Sequence, residues 1–178
     1  MYAPIVRETA ISFEESPPTV EEMADRIGVT LESFPWLVCD EGRVAGYAYA
    51  GSYRSRGAYR WSAETTVYVS EDHRRQGLAA ALYTSLLALL ELQGFRTALA
   101  GITQPNEASV SIHERLGFKP IGIFESVGFK LGDWRDVGWW RRPLGDSAPR
   151  DRPPLPLAQA RAHRGWPTAL ATGQAHLA

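Results

Sequence analysis

The sequence predicts an α/β (α+β) fold that forms one domain with a substantial core. Residues 65–69 are β-branched or aromatic, a composition that favours a half-buried strand. Immediately afterwards, leucines recur at helical spacing at Leu78, Leu82, Leu86 and Leu89. The chain has 178 residues and 44% hydrophobic content, which is enough to bury such elements together in a single core.

The other predicted strands are also rich in β-branched and aromatic residues, or lie between turn residues. A polar turn at 41–43 is suited to joining two of them as a hairpin. In chain order, the segments that we expect to be extended are 11–13, 36–40, 44–53, 61–70, 96–102, 118–129 and 134–142.

Helices are predicted where capping residues border apolar segments. Thr19 and Glu22 have the spacing of a capping box and predict a helix through about residue 27. Gly94 and Gly117 stand where a glycine ends a helix in the left-handed conformation. They close two predicted helices at 75–93 and 106–116, and residues 2–8 form a further helical end.

The composition changes after the last predicted strand. From Gly145 onward, eight of 34 residues are alanine and five are proline, with little apolar periodicity. We therefore expect a domain at 1–144 followed by a disordered tail at 145–178.

Charge and cysteine content exclude several classes of protein. A net charge of −1 and a pI near 6.4 argue against binding to nucleic acid or to an anionic membrane, and favour a small ligand. The single cysteine, Cys39, excludes an internal disulfide, and the four histidines show no metal-ligand spacing. No apolar run approaches the ~20 residues of a membrane span, and no signal peptide is recognisable. We therefore expect a cytoplasmic protein without a metal.

The turn between the strand at 65–69 and the following helix is a candidate anion site. A helix begins with unpaired N–H groups and the positive end of its dipole, which attract phosphate, and Gly77 lets a ligand approach the backbone. The motif Arg-x-x-Gly-x-Ala at 74–79 matches neither the phosphate loop of nucleotide triphosphatases nor the dinucleotide-binding turn. A capped helix with solvated arginines is the alternative interpretation.

A second group of residues makes the pattern more specific. Asn106, His113 and the triplet Leu-Gly-Phe at 116–118 follow the turn, and the whole order resembles the GCN5-related N-acetyltransferase (GNAT) superfamily. Further stretches resemble its phosphinothricin and methionine sulfoximine N-acetyltransferases: Phe-Pro-Trp-Leu-Val at 34–38, Ala-Gly-Tyr-Ala-Tyr-Ala-Gly at 45–51, Ala-Tyr at 58–59, Trp61, Ala-Glu at 63–64, Gln-Gly-Phe at 93–95 and Asp-Val-Gly at 136–138.

The resemblance spans residues 5 to 144 and implies a mixed, mostly antiparallel sheet flanked by helices, acetyl-CoA as co-substrate and a homodimer. Members of the family begin with one more strand and most of a helix, so the N-terminal strand is expected to be missing here, through a late-assigned or truncated start.

The resemblance also implies which residues would hold acetyl-CoA. The backbone N–H groups of Val67, Tyr68 and Val69 would polarise the thioester carbonyl if their strand separates from its neighbour, whereas ordinary sheet pairing is the alternative. The turn and the first helical residues would hold the pyrophosphate, and an asparagine would add a contact: Arg74, Arg75, Gln76, Gly77, Leu78, Ala79, Ala80 and Asn106.

Glu64 and His113 are the predicted catalytic residues. A free amino group is mostly ammonium at pH 7, so acetyl transfer needs a base, and burial of Glu64 beside Trp61 and Val67 would raise its pKa towards the working range. A strand-edge glutamate facing water is the alternative. His113 stands where many GNAT enzymes have a tyrosine as general acid, although a lone histidine on a helix can also be structural.

The segment 53–60 alternates arginines with aromatic residues and predicts an acceptor pocket. In an extended chain Arg54 and Arg56 share one face, and their forked donors suit carboxylate, phosphinate or sulfoximine oxygens. An exposed basic loop is the alternative. By resemblance, the positions that line the acceptor are Phe13, Tyr49, Arg54, Arg56, Tyr59 and Val137, and Arg54 falls where relatives carry lysine.

Three functions remain open at this point. The leading one is transfer of acetyl from acetyl-CoA to the α-amino group of a small amino acid, such as phosphinothricin, methionine sulfoximine or methionine sulfone. The second is acetylation of protein N-termini, lysines or polyamines, although a polyamine site should be acidic where this chain carries arginines. The third is an inactive acyl-CoA-binding protein, against which the presence of both Glu64 and Asn106 argues.

Overall fold

A six-stranded sheet organises the chain, of which the computed structural model describes residues 1–145 and 152–177. The strand order is β1-β2-β3-β4-β6-β5, and all neighbours are antiparallel except β3 and β4. The strands are β1 (Trp36–Asp40), β2 (Val44–Ser52), β3 (Ser62–Val69), β4 (Thr97–Gln104), β5 (Lys119–Lys130) and β6 (Asp133–Pro143). This mixed, mostly antiparallel sheet confirms the predicted fold class.

In the described residues, six α-helices accompany the sheet: α1 (Tyr2–Glu8), α2 (Val20–Thr30), α3 (Leu78–Gln93), α4 (Glu107–Arg115), α5 (Leu157–Arg161) and α6 (Trp166–Ala171). The predicted capping box is present at the start of α2, where Thr19 accepts from the Glu22 N–H and the Glu22 side chain accepts from the Thr19 N–H. Gly94 ends α3 at φ 96°, the left-handed conformation that glycine adopts without strain.

The core lies between α3 and one face of the sheet. Alanines of β2, β3 and β4, among them Ala48, Ala63 and Ala98, are fully buried there, and their small side chains let the helix approach closely. Leu86 and Leu90 of α3 fill the space above them and are also fully buried. Burial of each such leucine contributes about 1.5–3 kcal/mol, which accounts for the helix that the leucine spacing predicts.

The opposite face of the sheet carries aromatic side chains, because residues alternate between faces along a strand. Trp36 stacks on Tyr49 with ring centroids 4.2 Å apart, and Tyr47 lies 5.4 Å from Tyr68. Tyr2 of α1 packs against Tyr68 at 4.9 Å. This aromatic surface fixes the N-terminal helix on the side of the sheet away from α3.

Strands β3 and β4 separate along their length. Their pairing is limited to Ser62 with Thr97, Ala63 with Ala98 and Glu64 with Leu99, although β3 continues to Val69. Beyond Glu64, β3 remains paired with β2 while β4 remains paired with β6. A gap therefore opens in the centre of the sheet, directly after Glu64.

Two expectations about the chain outside the sheet are wrong. Residues 11–13 do not form a strand: residues 11 and 12 are bends and residue 13 is irregular, because the Glu14 N–H donates to the Ser12 hydroxyl and replaces ladder pairing by a local bond.

The expected disordered tail is folded in its described part, 152–177. Leu157 is 1% exposed and Ala160 is fully buried, and α5 and α6 both pack against α3. Alanine is the strongest helix former and is small enough for close packing, so an alanine-rich segment without leucine periodicity can still dock. Residues 146–151 and 178 of the expected tail lie outside the described residues.

Candidate active site

A cavity of about 470 Å³ lies at the gap between β3 and β4. Its walls come from the N-terminal segment, three central strands, β6 and the helices α3 and α4. Eight of the residues predicted for the site line it: Phe13, Tyr49, Glu64, Val67, Tyr68, Asn106, His113 and Val137. The fold thus collects in one place residues that are up to 124 positions apart in the sequence (137 − 13).

Glu64 lies at the point where the two strands part, and its side chain faces the cavity. Burial raises the pKa of its carboxyl group above the usual range, and the positive charge of Arg54 partly opposes this. Within the described residues, no side chain donates a hydrogen bond to this carboxylate. A half-buried carboxylate with a raised pKa and no bound donor can accept a proton from a ligand.

The backbone of β3 presents two N–H groups to the gap. The Ser70 N–H donates to the Ala45 carbonyl of β2, and directions alternate along a strand, so the Tyr68 N–H also faces β2. The N–H groups of Val67 and Val69 therefore point to the other side, where pairing with β4 has ended. Two of the three predicted donors thus face the gap, whereas Tyr68 contributes its side chain.

His113 is buried, 3% exposed, and both of its ring nitrogens have partners. Nδ1 lies 2.7 Å from the Ser109 carbonyl, which can only accept, so Nδ1 carries the proton. Nε2 then accepts from the Tyr83 hydroxyl at 2.9 Å. Burial lowers the pKa of His113, although the Ser109 carbonyl partly opposes this, and the ring is neutral at pH 7.

Tyr83 is a site residue that the sequence did not single out. It is fully buried on α3 among leucines, lines the cavity beside His113 and has a pKa raised by burial. Its spacing is that of a core position, so the sequence carries no signal that separates it from its apolar neighbours.

The predicted anion turn lies outside the cavity lining, at the start of α3. Gly77 precedes the helix at φ 81°, and Arg75 has a φ of 61°, which costs a non-glycine residue of order 1 kcal/mol or more. The Gln76 side chain donates to the Asp72 carbonyl at 2.9 Å and ties the turn to the preceding residues. Arg74 is exposed and lies 3.9 Å from Glu71.

The three residues that follow Gly77 have different surroundings. Leu78 is buried in the core, so its backbone and not its side chain faces the turn, while Ala79 and Ala80 are half-buried.

Asn106 caps α4 with its side-chain oxygen, and its side-chain NH₂ group is available to a ligand. Its Oδ1 accepts from the Ser109 N–H at 3.1 Å, and the residue lines the cavity. The Nδ2 group has no protein partner among the described residues, so it remains able to donate to a ligand.

The segment 53–60 lies beside the cavity but does not line it. Arg54 lies over the ring of Tyr53 at 5.1 Å, and Tyr53 contacts both Tyr59 and the cavity residue Trp139 at ring distances of 5.7 and 5.9 Å. Arg56 is exposed. Arg54 and Tyr59 are therefore placed at the side of the cavity through Tyr53, and none of Arg54, Arg56 and Tyr59 lines it, which differs from the prediction.

Further cavity residues come from the N-terminal segment. The Tyr2 hydroxyl and the Arg26 guanidinium both donate to Oε1 of Glu14 at 2.8 Å, and this ion pair holds the pKa of Glu14 below its usual range although burial opposes the shift. Tyr2 and Glu14 line both this cavity and a smaller one of about 180 Å³ beside Trp36. No local sequence pattern marks them, because they meet through the docking of α1 and α2.

Two further classes of site are absent from residues 1–145 and 152–177. No cluster of three or more histidine, cysteine, aspartate or glutamate side chains there could hold a metal ion. None of the helices in this part is long and apolar enough to cross a membrane.

Comparison with known proteins places these features in a family. The family model described as acetyltransferase (GNAT) domain matches residues 1–139. The phosphinothricin N-acetyltransferase of Streptomyces viridochromogenes is 43% identical over 155 residues, 86% of this chain and 84% of that protein. The L-methionine sulfoximine/L-methionine sulfone acetyltransferase of Salmonella typhimurium is 35% identical over 122 residues, 68% of this chain and 71% of that protein.

A solved structure agrees with the sequence comparison. The crystal structure of a GNAT superfamily phosphinothricin acetyltransferase from Sinorhizobium meliloti in complex with AcCoA matches with a TM-score of 0.80 and 35% identity, and the match covers 85% of each chain. The gap beside Glu64 and the turn at Gly77 therefore lie in a fold shared along most of the chain. The chain belongs to the GNAT acetyltransferase family, in the group that includes the phosphinothricin and methionine sulfoximine acetyltransferases.

Proposed function

We propose that this acetyltransferase moves acetyl from acetyl-CoA to the α-amino group of a small amino acid of the phosphinothricin, methionine sulfoximine or methionine sulfone type. The observation that carries the proposal is the half-buried Glu64 carboxylate, which faces the cavity where β3 and β4 separate. The names of the relatives support this class of acceptor.

The residues at the gap fit acetyl-CoA. The N–H groups of Val67 and Val69 can donate to the acetyl oxygen, and each such preorganised donor contributes about 2.7–4 kcal/mol to transition-state stabilisation in acyl transfer. The Nδ2 group of Asn106 supplies another donor on the facing side of the gap. At the other end, Gly77 precedes α3, and the positive end of a helix dipole attracts a pyrophosphate.

Glu64 acts as the base, directly or through a water. Its raised pKa makes the carboxylate a better proton acceptor than an exposed glutamate. Once the acceptor nitrogen has lost a proton it can attack the acetyl carbon, and the carbon–sulfur bond then breaks to give the acetylated amine and the thiolate of coenzyme A.

Tyr83 and His113 act together at the leaving sulfur. His113 has no uncommitted proton, since its Nδ1–H is donated to Ser109. The Tyr83 hydroxyl can turn from His113 to the thiolate, because a hydroxyl hydrogen rotates to suit its acceptor. We therefore assign the hydrogen bond to sulfur to Tyr83, and assign to His113 the holding of the Tyr83 hydroxyl.

The acceptor binds on the aromatic side of the sheet. Phe13 and Tyr49 line this part of the cavity with Val137, which suits an apolar chain or methyl group. Arg54 lies close enough to Glu64 to oppose the rise in its pKa, and the guanidinium groups of Arg54 and of the exposed Arg56 can attract a carboxylate or a tetrahedral oxyanion.

We also propose that the enzyme is a cytoplasmic homodimer that uses the outer face of β5. This edge strand carries exposed apolar side chains, including Ile121 and Ile123 at 59% exposure and Phe129 at 60%. An apolar edge of this length favours association with a second copy. Light scattering at micromolar concentration should give twice the chain mass, and Ile123→Lys should shift it to the monomer mass; a monomeric wild type would contradict the proposal.

A thiol-release assay with acetyl-CoA tests the acceptor. Phosphinothricin, methionine sulfoximine and methionine sulfone are compared with a peptide bearing a free N-terminus, a lysine peptide and spermidine, and products are identified by mass spectrometry. We expect α-N-acetylated small amino acids at a kcat/KM at least 10-fold above the other acceptors. Preferential turnover of a peptide or of spermidine would replace this function by the second one, and coenzyme A binding without turnover would favour an inactive binding protein.

A further inference from the structure

Residues 152–177, here called the strap, run along α3 towards the turn that begins it. Leu157 and Ala160 are buried near the far end of the helix, where α5 packs against it. The stretch Thr172–His176 also packs on α3 but, apart from Gly173, its residues are exposed. The strap therefore buries apolar side chains near residue 157 and presents mostly exposed side chains near residue 176.

Two side chains of α3 bind the part of the strap near residue 176. The Ser85 hydroxyl donates to the Leu170 carbonyl at 2.7 Å and accepts from the Gly173 N–H at 3.1 Å. The Thr84 hydroxyl lies at hydrogen-bond distance, 3.0 Å, from the His176 imidazole. Gly173 is pressed against the backbone of α3, since a β-carbon added there would collide with the carbonyl of Ala81.

The strap ends on the pyrophosphate turn. The His176 carbonyl oxygen occupies the space that a β-carbon of Gly77 would fill. That is the space through which a bulky anion approaches the backbone at this turn, and it is why the position suits glycine. The carbonyl oxygen also places a partial negative charge at the positive end of α3, where a phosphate oxygen would lie.

We propose that the strap is an autoinhibitory element whose end, residues 172–177, competes with acetyl-CoA for the turn at Gly77. When the strap is docked, the His176 carbonyl excludes the pyrophosphate. When residues 172–177 lift, the turn is open while α5 stays packed on α3. This inference rests on the proposed function, because the turn must be the place where the pyrophosphate binds.

Lifting residues 172–177 breaks two side-chain hydrogen bonds, the one from the Gly173 N–H to Ser85 and the one between Thr84 and His176, and exposes Gly173. The buried Leu157 and Ala160 of α5 are not disturbed, so local opening precedes unfolding of the domain. We expect docking to raise the apparent Kd of coenzyme A about 10-fold, the factor for a binding-competent state that is populated ~10% of the time.

Gly173→Ala tests the proposal without altering the proposed site. The added methyl group collides with the Ala81 carbonyl, so residues 172–177 cannot dock. Ser85→Ala is a second variant that adds no bulk and removes both bonds to the strap. Gly28→Ala is the matched control, since its β-carbon would meet no atom within 4 Å.

Calorimetric titration with coenzyme A alone separates the outcomes. We expect Gly173→Ala and Ser85→Ala to bind about 10-fold more tightly than the wild type and Gly28→Ala to bind equally, with all four proteins folded at the temperature of the titration. Equal affinity in all four proteins overturns the proposed competition between the strap and acetyl-CoA, and it leaves the proposed function unaffected. Weaker binding by the two variants also overturns it, because the strap would then be part of the binding site. If no protein binds coenzyme A, the proposed function fails and the strap fails with it.

Hydrogen exchange gives an independent measurement on the wild type. Addition of coenzyme A should slow exchange of the amides at 77–80 and accelerate exchange at 172–176, because the ligand displaces the strap. A ligand that slows exchange in both segments contradicts competition.

Discussion

Replacement of Glu64 by glutamine should lower activity and raise stability at neutral pH in the same protein. Glutamine keeps the shape of the side chain but cannot act as a base or carry a charge. Since Glu64 is half-buried and no described side chain donates to its carboxylate, ionisation of this group is less favourable in the folded protein than in water. The two effects therefore have one cause.

The size of the activity loss follows from the role of a positioned base. Such a group contributes about 10²–10⁴-fold, so kcat/KM should fall at least ~100-fold, which corresponds to about 2.7 kcal/mol of transition-state stabilisation. Coenzyme A should bind with an unchanged Kd, because the residues proposed to hold it are the turn at Gly77 and the N–H groups of β3.

The sign of the stability effect follows from the pKa of Glu64, which is raised in the folded state because of burial. Between the usual glutamate pKa, about 4.3, and the raised value, the folded protein binds more protons than the unfolded chain, so the free energy of unfolding falls as pH rises through this window. The free energy of unfolding of Glu64→Gln does not fall in this way, because glutamine does not titrate. The variant should therefore be more stable than the wild type at pH 7, with a difference that shrinks as pH falls below the window.

Thiol-release kinetics and thermal unfolding at several pH values measure both effects, and Glu32→Gln serves as an exposed control that should change neither. A Glu64→Gln enzyme with wild-type turnover would remove Glu64 as the base. A variant that is inactive and also less stable at pH 7 would refute the reasoning about its burial.

Three further predictions concern the neighbourhood of this residue and the core. Arg54→Ala should move the acidic limb of the kcat/KM profile to higher pH, because the charge of Arg54 lowers the pKa of Glu64. A limb that stays at the same pH would show that Arg54 does not act on the pKa of the catalytic base. Tyr83→Phe leaves Nε2 of buried His113 without a donor, so it should cost about 1–3 kcal/mol in urea unfolding and reduce kcat. Leu86→Ala should cost about 2–5 kcal/mol of unfolding free energy, since Leu86 is fully buried, and a smaller loss would indicate that the core collapses around it.

Local features of the fold were predictable because their interactions span few residues. The capping box joins Thr19 to Glu22, three positions apart, and Gly94 ends α3 through its own backbone conformation. The strand at 65–69 and the leucine spacing of α3 were visible for the same reason, since alternation and helical periodicity are read within one segment. Residues 11–13 show the limit, because a single bond to Ser12 outweighed the apparent strand pattern.

The site was predictable in part. The resemblance to a known family identified Glu64, Asn106 and His113 as site residues, and all three line the cavity. It gave no indication that His113 would donate its Nδ1 proton to the Ser109 carbonyl and accept a hydrogen bond from Tyr83, because that network joins α3 to α4 across 30 positions.

The alanine-rich segment near the C-terminus was misjudged because composition reports the tendency to fold alone and not the presence of a docking surface. Ala160 and Gly173 pack against a helix that lies more than 65 positions earlier in the chain. Close packing of small residues leaves no periodic signal in the sequence.

The sequence by itself determined the strand, turn and helix around Glu64 and Gly77, since backbone preference, capping and side-chain alternation act over a few residues. The tertiary structure alone decided that β3 and β4 part after Glu64, that Tyr83 faces His113, and that the His176 carbonyl covers Gly77. These contacts depend on which distant surfaces meet, and that outcome is set by the packing of the whole core.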